Sequence, residues 1–530
     1  MKLKRGYIEI SVTIEDKVMT TRISVDKMRI FVAQGKGATV KLLRNGEPVY
    51  NVEFDYKNLY YMVNKYDMMY FSIIPKFISK YLIDYTSVIA ATNSLPAVGR
   101  DNEISKAWFY LSQNTKNNAF LVGDIDVGKT TIAQELIRQI IMGDCPKKFY
   151  SKRVISFRFD ELLEIKSDFK YERIINLIIN FIEKNKEYII IYVDDAIMMK
   201  MDEKLIKVLH FIIKNDVPTV LCCRTDAYED LYLEDYFIKK YENIIAVEEP
   251  EYKEVFTMIE DHINNIMKNY QVKIDEKVAK FAIYTSSLLN SHSCNPGRTL
   301  NILTKSSIYA QIKGKEDVDK EAILNCYDSQ YKLFNDYSEE DKKKIAYHEA
   351  GHFLTLIKSS NAELEKTACI SILPTMYFQG ANICYFIPER NTTLDRDTII
   401  DRIAIYLGGR VAEKEISNAF STGASLDLDV ANTLAEDMLM KYGMSSGEDQ
   451  NRSFVVGGYY IKSYLLTDGD KKRINDEIKS IIDEAYARAE KTIQDNRPIL
   501  DLIAEKLLNE LVITGENMEA IIKEFEETKQ

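Results

Sequence analysis

Between about residue 97 and residue 250, short and wholly apolar runs alternate with amphipathic ones, and this alternation restricts the fold more than anything else in the chain. "AFLVG" precedes "KTTIAQELIRQII", "RVISF" precedes "YERIINLIINFI", and "YIIIYVDD" precedes "EKLIKVLHFII", after which "TVLCC" closes the series. An apolar run without polar alternation suits a strand covered on both faces, and the helical spacing between runs supplies the cover. The expectation is an α/β module, a parallel sheet with helices on both faces. From about 251 to 330 the strand signals stop and helical ones follow, which predicts a helical lid.

The flanking regions follow different rules. Residues 1 to about 55 alternate apolar and polar in "YIEISVTI", "MRIFVAQ", "ATVKLL" and "VYNVEF", with turn signals such as "QGKGA" and "RNGEP" between them. This predicts a small antiparallel β-unit. Residues 57 to about 90 are tyrosine-rich with helical spacing and read as a packing helix, with a docking surface for an adaptor as the alternative. Residues 336 to 530 are mainly helical, interrupted by a β-like stretch, "ACISILPTMYFQGANICYFIP". The expected domains are thus 1–95, a β-rich and helical N-terminal domain; 96–250, a nucleotide-binding core; 251–332, its lid; and 336–530, a mainly α domain.

Two motifs carry chemistry. Gly123, Asp124, Ile125, Asp126, Val127, Gly128, Lys129 and Thr130 spell G-x-x-x-x-G-K-[ST], with Thr131 next, between a strand and a helix as the motif requires. Glycines let backbone N–H groups turn toward phosphate oxygens, and the helix N-terminus adds a favourable dipole. Lys129 is expected on the β- and γ-phosphates of ATP and Thr130 on Mg2+. The strand end in "IIIYVDD" adds Asp194, expected to hold Mg2+ through water, and Asp195, expected to orient the attacking water. A solvated turn is the competing reading of the two acids.

The second motif is HEAGH, His348 to His352, in a chain with only five histidines. On a helix, positions i and i+4 share a face, so His348 and His352 can bind one Zn2+, with Glu349 placed as general base on the water that zinc activates. No histidine follows position 352, so the third ligand is a carboxylate, and Glu413 and Asp427 are both candidates. Spacing alone does not choose between them.

Composition sets the remaining bounds. Hydrophobic residues are 46% and charged residues 28%, ordinary for a globular chain with real cores. The net charge of −11 argues against nucleic acid as a partner. Seven cysteines without a C-x-x-C pair predict reduced thiols and a cytoplasmic setting. No run of eighteen apolar residues occurs, so no membrane span is expected, and the start shows no secretory signal.

Two family resemblances now enter. "SLPAVGRDNEISKAWFYLSQNTKNNAFLVGDIDVGKTTIAQELI" resembles the start of the first ATPase module of the Clp unfoldases, and the likeness runs on through "DAYEDLYLEDYFIKKYENIIAVEEP", covering roughly 81 to 330. It implies an AAA+ module that assembles as a ring and threads polypeptide through its pore. Thr225 then takes the sensor position, and Arg298 in "NPGRTLNIL" reaches the γ-phosphate from the lid. Lys239 and Lys240 stand where the family offers an arginine pair to the neighbouring subunit. Phe169 is the pore-loop aromatic, and Asp195 replaces the usual glutamate. Second, "IAYHEAGHFLTL", "IAIYLGGRVAEKEI" and "STGASLDLDVANTLAEDMLMKYGMSS" resemble, in that order, the peptidase domain of the FtsH-type AAA proteases over about 336 to 525. That resemblance implies Asp427 as the third zinc ligand, with Asp429 as an alternative and Glu413 in a supporting role. It also implies that "ISILP" is an edge strand onto which an extended substrate can add.

Taken together, the chain reads as an ATP-dependent zinc endopeptidase acting on protein substrates, with Zn2+, ATP and Mg2+ as cofactors and a homo-hexamer as its assembly. A nucleotide-gated scaffold with a slow ATPase and an ATP-independent oligopeptidase are the alternatives.

Overall fold

The computed structural model describes residues 7–14, 17–24, 39–44, 47–52, 73–92, 94–150, 152–196, 198, 202–228, 243–289, 293–327, 334, 336–359, 365–374, 381–386, 394–417, 422–445, 455–456, 459–460 and 467–527. The chain falls into two compact units, Met1–His262 with His292–Gly297, and Ile263–Ser291 with Arg298–Gln530.

In the first unit, β1 (Tyr7–Ile14), β2 (Lys17–Ser24), β3 (Thr39–Arg44) and β4 (Glu47–Val52) form an antiparallel sheet in the order β2-β1-β3-β4. This agrees with the alternation of the sequence. A second, six-stranded sheet contains β5 (Leu82–Asp84), β6 (Asn118–Val122), β7 (Arg153–Phe157), β8 (Ile189–Val193), β9 (Thr219–Cys223) and β10 (Ile244–Ala246), ordered β10-β6-β9-β8-β7-β5. Neighbours are parallel except β5, which pairs antiparallel with β7 at the edge. The helical spacing expected to about residue 90 is therefore broken by a strand at Leu82–Asp84, where pairing with β7 and burial of Leu82 override the local pattern.

All five residues of β6, β7, β8 and β9 are buried. Because side chains alternate along a strand, each strand feeds two cores. Phe120, Val122, Ile189, Ile191, Val193 and Leu221 pack with α4 (Asp168–Asn185) and α5 (Glu203–Lys214). Ala119, Leu121, Ile190, Tyr192 and Val220 pack with α1 (Tyr85–Ala91), α2 (Asp101–Leu111) and α3 (Lys129–Met142). Each fully buried aliphatic or aromatic side chain contributes about 1.5–3 kcal/mol, so a sheet covered on both faces is strongly held.

The second unit holds α6 (Glu276–Leu289) and most of α7 (Gly297–Ile312), and within this lid a short parallel pairing of Lys273–Ile274 with Asp317–Val318 interrupts the expected run of helices. It then continues through α8 (Glu339–Ile357), α9 (Arg396–Ser417), α10 (Ser425–Met440), α11 (Asp468–Asp495) and α12 (Arg497–Glu510). The Ser338 hydroxyl caps α8 by accepting from the Asp341 amide at 3.1 Å, and Glu339, Glu340 and Asp341 place negative charge on its first turn. Gly351 of α8 and Gly408 of α9 meet backbone to backbone: a Cβ on Gly351 would lie 2.4 Å from the Gly408 carbonyl oxygen.

A three-stranded antiparallel sheet in this unit has the order β12-β11-β13, with β11 (Glu365–Ser371), β12 (Ala381–Phe386) and β13 (Val512–Thr514). The expectation that "ISILP" is an edge strand is corrected here. Ile370 and Ser371 pair with Asn382 and Ala381 on one side and with Ile513 and Val512 on the other, so this strand is the middle one. Among the described residues no helix is long and apolar enough to cross a membrane.

Candidate active site

Helix α8 carries His348, Glu349 and His352, and both histidines turn their Nε2 atoms to one point, 3.0 Å apart. Each imidazole is fixed from behind. His348 Nδ1 is 2.7 Å from Glu413 Oε1, and His352 Nδ1 is 2.7 Å from the Ile405 carbonyl oxygen. A proton on each Nδ1, donated to these acceptors, leaves the Nε2 lone pairs free. Asp427, in the first turn of α10, sends Oδ2 to within 3.2 Å of His348 Nε2 and 3.5 Å of His352 Nε2.

These distances fit a metal ion. Tetrahedral zinc with bonds of about 2.0–2.1 Å requires ligand atoms about 3.3 Å apart. His348, His352 and Asp427 form the one such cluster of potential metal ligands among the described residues. Two further features suit it. Glu349 is buried, yet its Oε2 has no hydrogen-bond partner. At Gly409, a Cβ would sit 2.6 Å from His352 Nε2 and 2.8 Å from His348 Nδ1, so only a glycine leaves room over the imidazoles.

The electrostatics agree. Burial disfavours the His348 imidazolium, but hydrogen bonds to Asp427 and Glu413 outweigh it and lift the pKa to about 10. Burial also opposes the Asp427 carboxylate, yet the two histidines hold its pKa far below the ordinary value. Burial raises the pKa of Glu349. The cluster is built for a positive charge at its centre, which a bound cation supplies.

The phosphate loop lies in the first unit, after β6 and before α3, at the ends of parallel strands where ligands of such sheets bind. Gly123 is required there, because a Cβ would come 2.3 Å from the Val247 carbonyl oxygen. Gly128 has φ +107, a conformation that side chains resist. Lys129 Nζ donates to the carbonyls of Gly123 at 2.8 Å and Asp124 at 2.6 Å. Thr130 Oγ1 donates to Asp194 Oδ1 at 2.9 Å, and Thr225 Oγ1 donates to Asp124 Oδ1 at 3.0 Å. Asp195 is exposed beside Asp194, while Ile125 and Asp126 are exposed and Val127 is buried. The loop is held from a distant part of the chain: Cys294 N donates to the Ile125 carbonyl at 2.9 Å, and Gly297 N to that of Asp126 at 3.1 Å. Asn295 N donates to Glu249 Oε1 at 2.7 Å.

The remaining sequence candidates fall as follows. Thr131 continues α3. Phe169 is 80% exposed in the first turn of α4, after the strand β7. Arg298 is buried in the second unit, with Nε donating to Ser286 Oγ at 3.1 Å. Asp429 lies two residues beyond Asp427 in α10, about 200° further round the helix. Lys239 and Lys240 lie outside the described residues. Sequence reasoning missed Tyr192, whose buried hydroxyl donates to Asp194 Oδ1 at 2.5 Å. Strand alternation puts residues 192 and 194 on one face, but it does not show that the hydroxyl meets the carboxylate.

Fold and site define a class: a P-loop α/β unit in a chain that also carries a helix-borne H-E-x-x-H with an aspartate as third donor. Residues 335–521 match the model of Peptidase family M41. Curated relatives point the same way. The chain is 32% identical over 235 residues to the ATP-dependent zinc metalloprotease FtsH of Caldicellulosiruptor bescii, a match covering 42% of this chain and 38% of that protein. With the protein of the same name from Helicobacter pylori (strain J99) it shares 28% identity over 298 residues, 54% of this chain and 45% of that one. The chain thus spans less than half the length of these curated relatives. Among solved structures, the S. cerevisiae Hsp104:casein complex in its extended conformation aligns with a TM-score of 0.45 at 19% identity, over 54% of this chain and 51% of that one.

Proposed function

We propose that this chain is an ATP-dependent zinc endopeptidase that unfolds protein substrates and hydrolyses their peptide bonds at the HEAGH site. The observation that carries the reading is the convergence of His348 Nε2, His352 Nε2 and Asp427 Oδ2 beside the unpartnered Oε2 of a buried Glu349. In this reading His348, His352 and Asp427 hold zinc, which when bound supplies the Lewis acid that amide hydrolysis needs. Glu349 takes the proton from the attacking water and delivers it to the departing amide nitrogen. Glu413 and the Ile405 carbonyl keep both imidazoles in the orientation that ligation requires.

The first unit then supplies the work. Lys129 and the loop amides of Gly123 to Thr131 hold ATP, Thr130 and Asp194 hold Mg2+, Asp195 orients the attacking water, and Thr225 senses the γ-phosphate. Arg298 from the lid, Lys239 and Lys240 across a homo-hexamer interface, and Phe169 in the pore complete the assignment. It follows the division into 1–95, 96–250, 251–332 and 336–530, with the N-terminal part free for an adaptor. A cytoplasmic setting suits the six described cysteines, all of them free thiols.

The test is degradation of an unfolded, labelled protein by the full chain with zinc, with and without ATP, beside Glu349→Gln. Loss of cleavage on removing either ATP or the Glu349 carboxylate is the expected result. Cleavage that needs Glu349 but ignores ATP removes the motor from the reading. Absence of cleavage by the wild type under both conditions removes the peptidase.

A further inference from the structure

The hydroxyl of Tyr192 is an unusual object. Its ring lies in a core that is otherwise almost wholly apolar, 1% exposed, between the sheet and helices α1 to α3. It packs edge-on against Tyr85, with ring centroids 5.3 Å apart. A phenol in such a place needs a partner, and a phenylalanine would fill the same volume without that need. The partner is Oδ1 of Asp194, 2.5 Å away and two residues on along the same strand face. The same oxygen accepts from Thr130 Oγ1 at 2.9 Å. Asp194 Oδ1 is thus held by one donor from the core and one from the first turn of α3, and neither bond uses Oδ2.

We propose that Tyr192 is a positioning residue for Mg2+ in the nucleotide site, fixing the rotamer of Asp194 so that its second oxygen faces the metal. This rests on the reading of 123–131 and Asp194 as a Mg-nucleotide site. Asp194 is exposed at the end of β8 and would otherwise sample several rotamers. Tyr192 cannot move with it, because its ring is clamped by packing. A rigid donor behind a mobile carboxylate converts that carboxylate into a fixed ligand, as outer partners do at other metal sites. Thr130 does not suffice alone, since it is itself expected to turn its hydroxyl oxygen to the metal and to lend Asp194 only its proton. Tyr192 has no such second duty, so its hold on Asp194 persists whether or not nucleotide is bound.

The experiment measures binding of a fluorescent ATP analogue to the full chain, first in EDTA and then over a Mg2+ titration, for wild type, Tyr192→Phe, Tyr192→Met and Asp194→Asn. Both Tyr192 variants lack the donor and keep an apolar filler of similar reach, so either serves if the other fails to fold. The expected result is unchanged affinity in EDTA and a Mg2+ midpoint about tenfold higher in both, the low end of the 10–100-fold effect of outer-sphere partners. A purely structural role would lower thermal stability and leave the Mg2+ midpoint in place. An unchanged midpoint in a folded variant, while Asp194→Asn shifts it, overturns the role of Tyr192 and leaves the nucleotide site standing. Failure of the wild type to bind nucleotide at all overturns both.

Discussion

Replacing Gly408 by alanine gives a quantitative test of how the second unit is built. The ideal Cβ at this position lies 2.7 Å from the Gly351 carbonyl oxygen and 2.5 Å from Thr355 Oγ1. The threonine side chain can rotate away, but the carbonyl belongs to α8. An ordinary contact begins at 3.4 Å, so the two helices must part by about 0.7 Å. Overpacking of this kind costs about 1–3 kcal/mol, offset by about 0.5–1 kcal/mol from replacing a helical glycine. The net loss of up to about 2.5 kcal/mol, centred near 1, corresponds to a fall of up to about 10 °C in the transition of a domain this size. Gly469→Ala is the control. It too replaces a helical glycine, in α11, but its Cβ would meet only Thr467 Oγ1, at 3.7 Å, and it should leave the transition unchanged or slightly raised. Thermal unfolding followed by near-ultraviolet circular dichroism reads both. Equal transitions for the two variants would refute the close-crossing argument.

Three further outcomes are expected. Glu413→Gln keeps the volume beside His348 Nδ1 but removes the charge, and should weaken zinc binding about 10–100-fold in a chelator competition; unchanged affinity would leave Glu413 a packing residue. Burial pushes the thiols of Cys145 and Cys223 up to about 12. A raised pKa keeps the neutral thiol at pH 8, so iodoacetamide should label both far more slowly in the native chain than in urea, as read by peptide mass spectrometry. Arg488 on α11 bonds Asp397 at 2.8 Å and Asp401 at 2.9 Å on α9. Arg488→Ala should lower stability by about 1 kcal/mol, less at high salt, and a salt-independent loss would point to packing by the arginine stem instead.

Where the chemistry demands neighbouring residues, the sequence was legible. A phosphate loop needs its glycines, lysine and hydroxyl within one turn, and a histidine pair on a helix needs i and i+4, so Lys129, Thr130, His348 and His352 could be read directly. The third metal ligand was not a matter of spacing. Asp427 reaches the histidines because α8, α9 and α10 pack in one particular way, and only the family resemblance singled it out. The strand "ISILP" was misjudged because its partner on one side, Val512–Thr514, is far along the chain and only three residues long. Leu82–Asp84 was hidden for the same reason, a short strand paired with a distant one. Tyr192 was passed over because tyrosine is an ordinary strand former, and nothing in a strand pattern shows that its hydroxyl has a carboxylate to serve.

The hold that residues 294–297 keep on the phosphate loop bears on how this protein can be dissected. A fragment stopped at His262, where the strand-and-helix series ends, would contain every residue of the loop and every strand of the six-stranded sheet. It would also strip the Ile125 and Asp126 carbonyls of the amides that now satisfy them, and leave Glu249 without the amide of Asn295. Such a fragment should bind nucleotide through a looser loop than the whole chain does. The smallest honest excision of this site therefore runs past Gly297, and the end of a pattern in the sequence marks a poor place to cut.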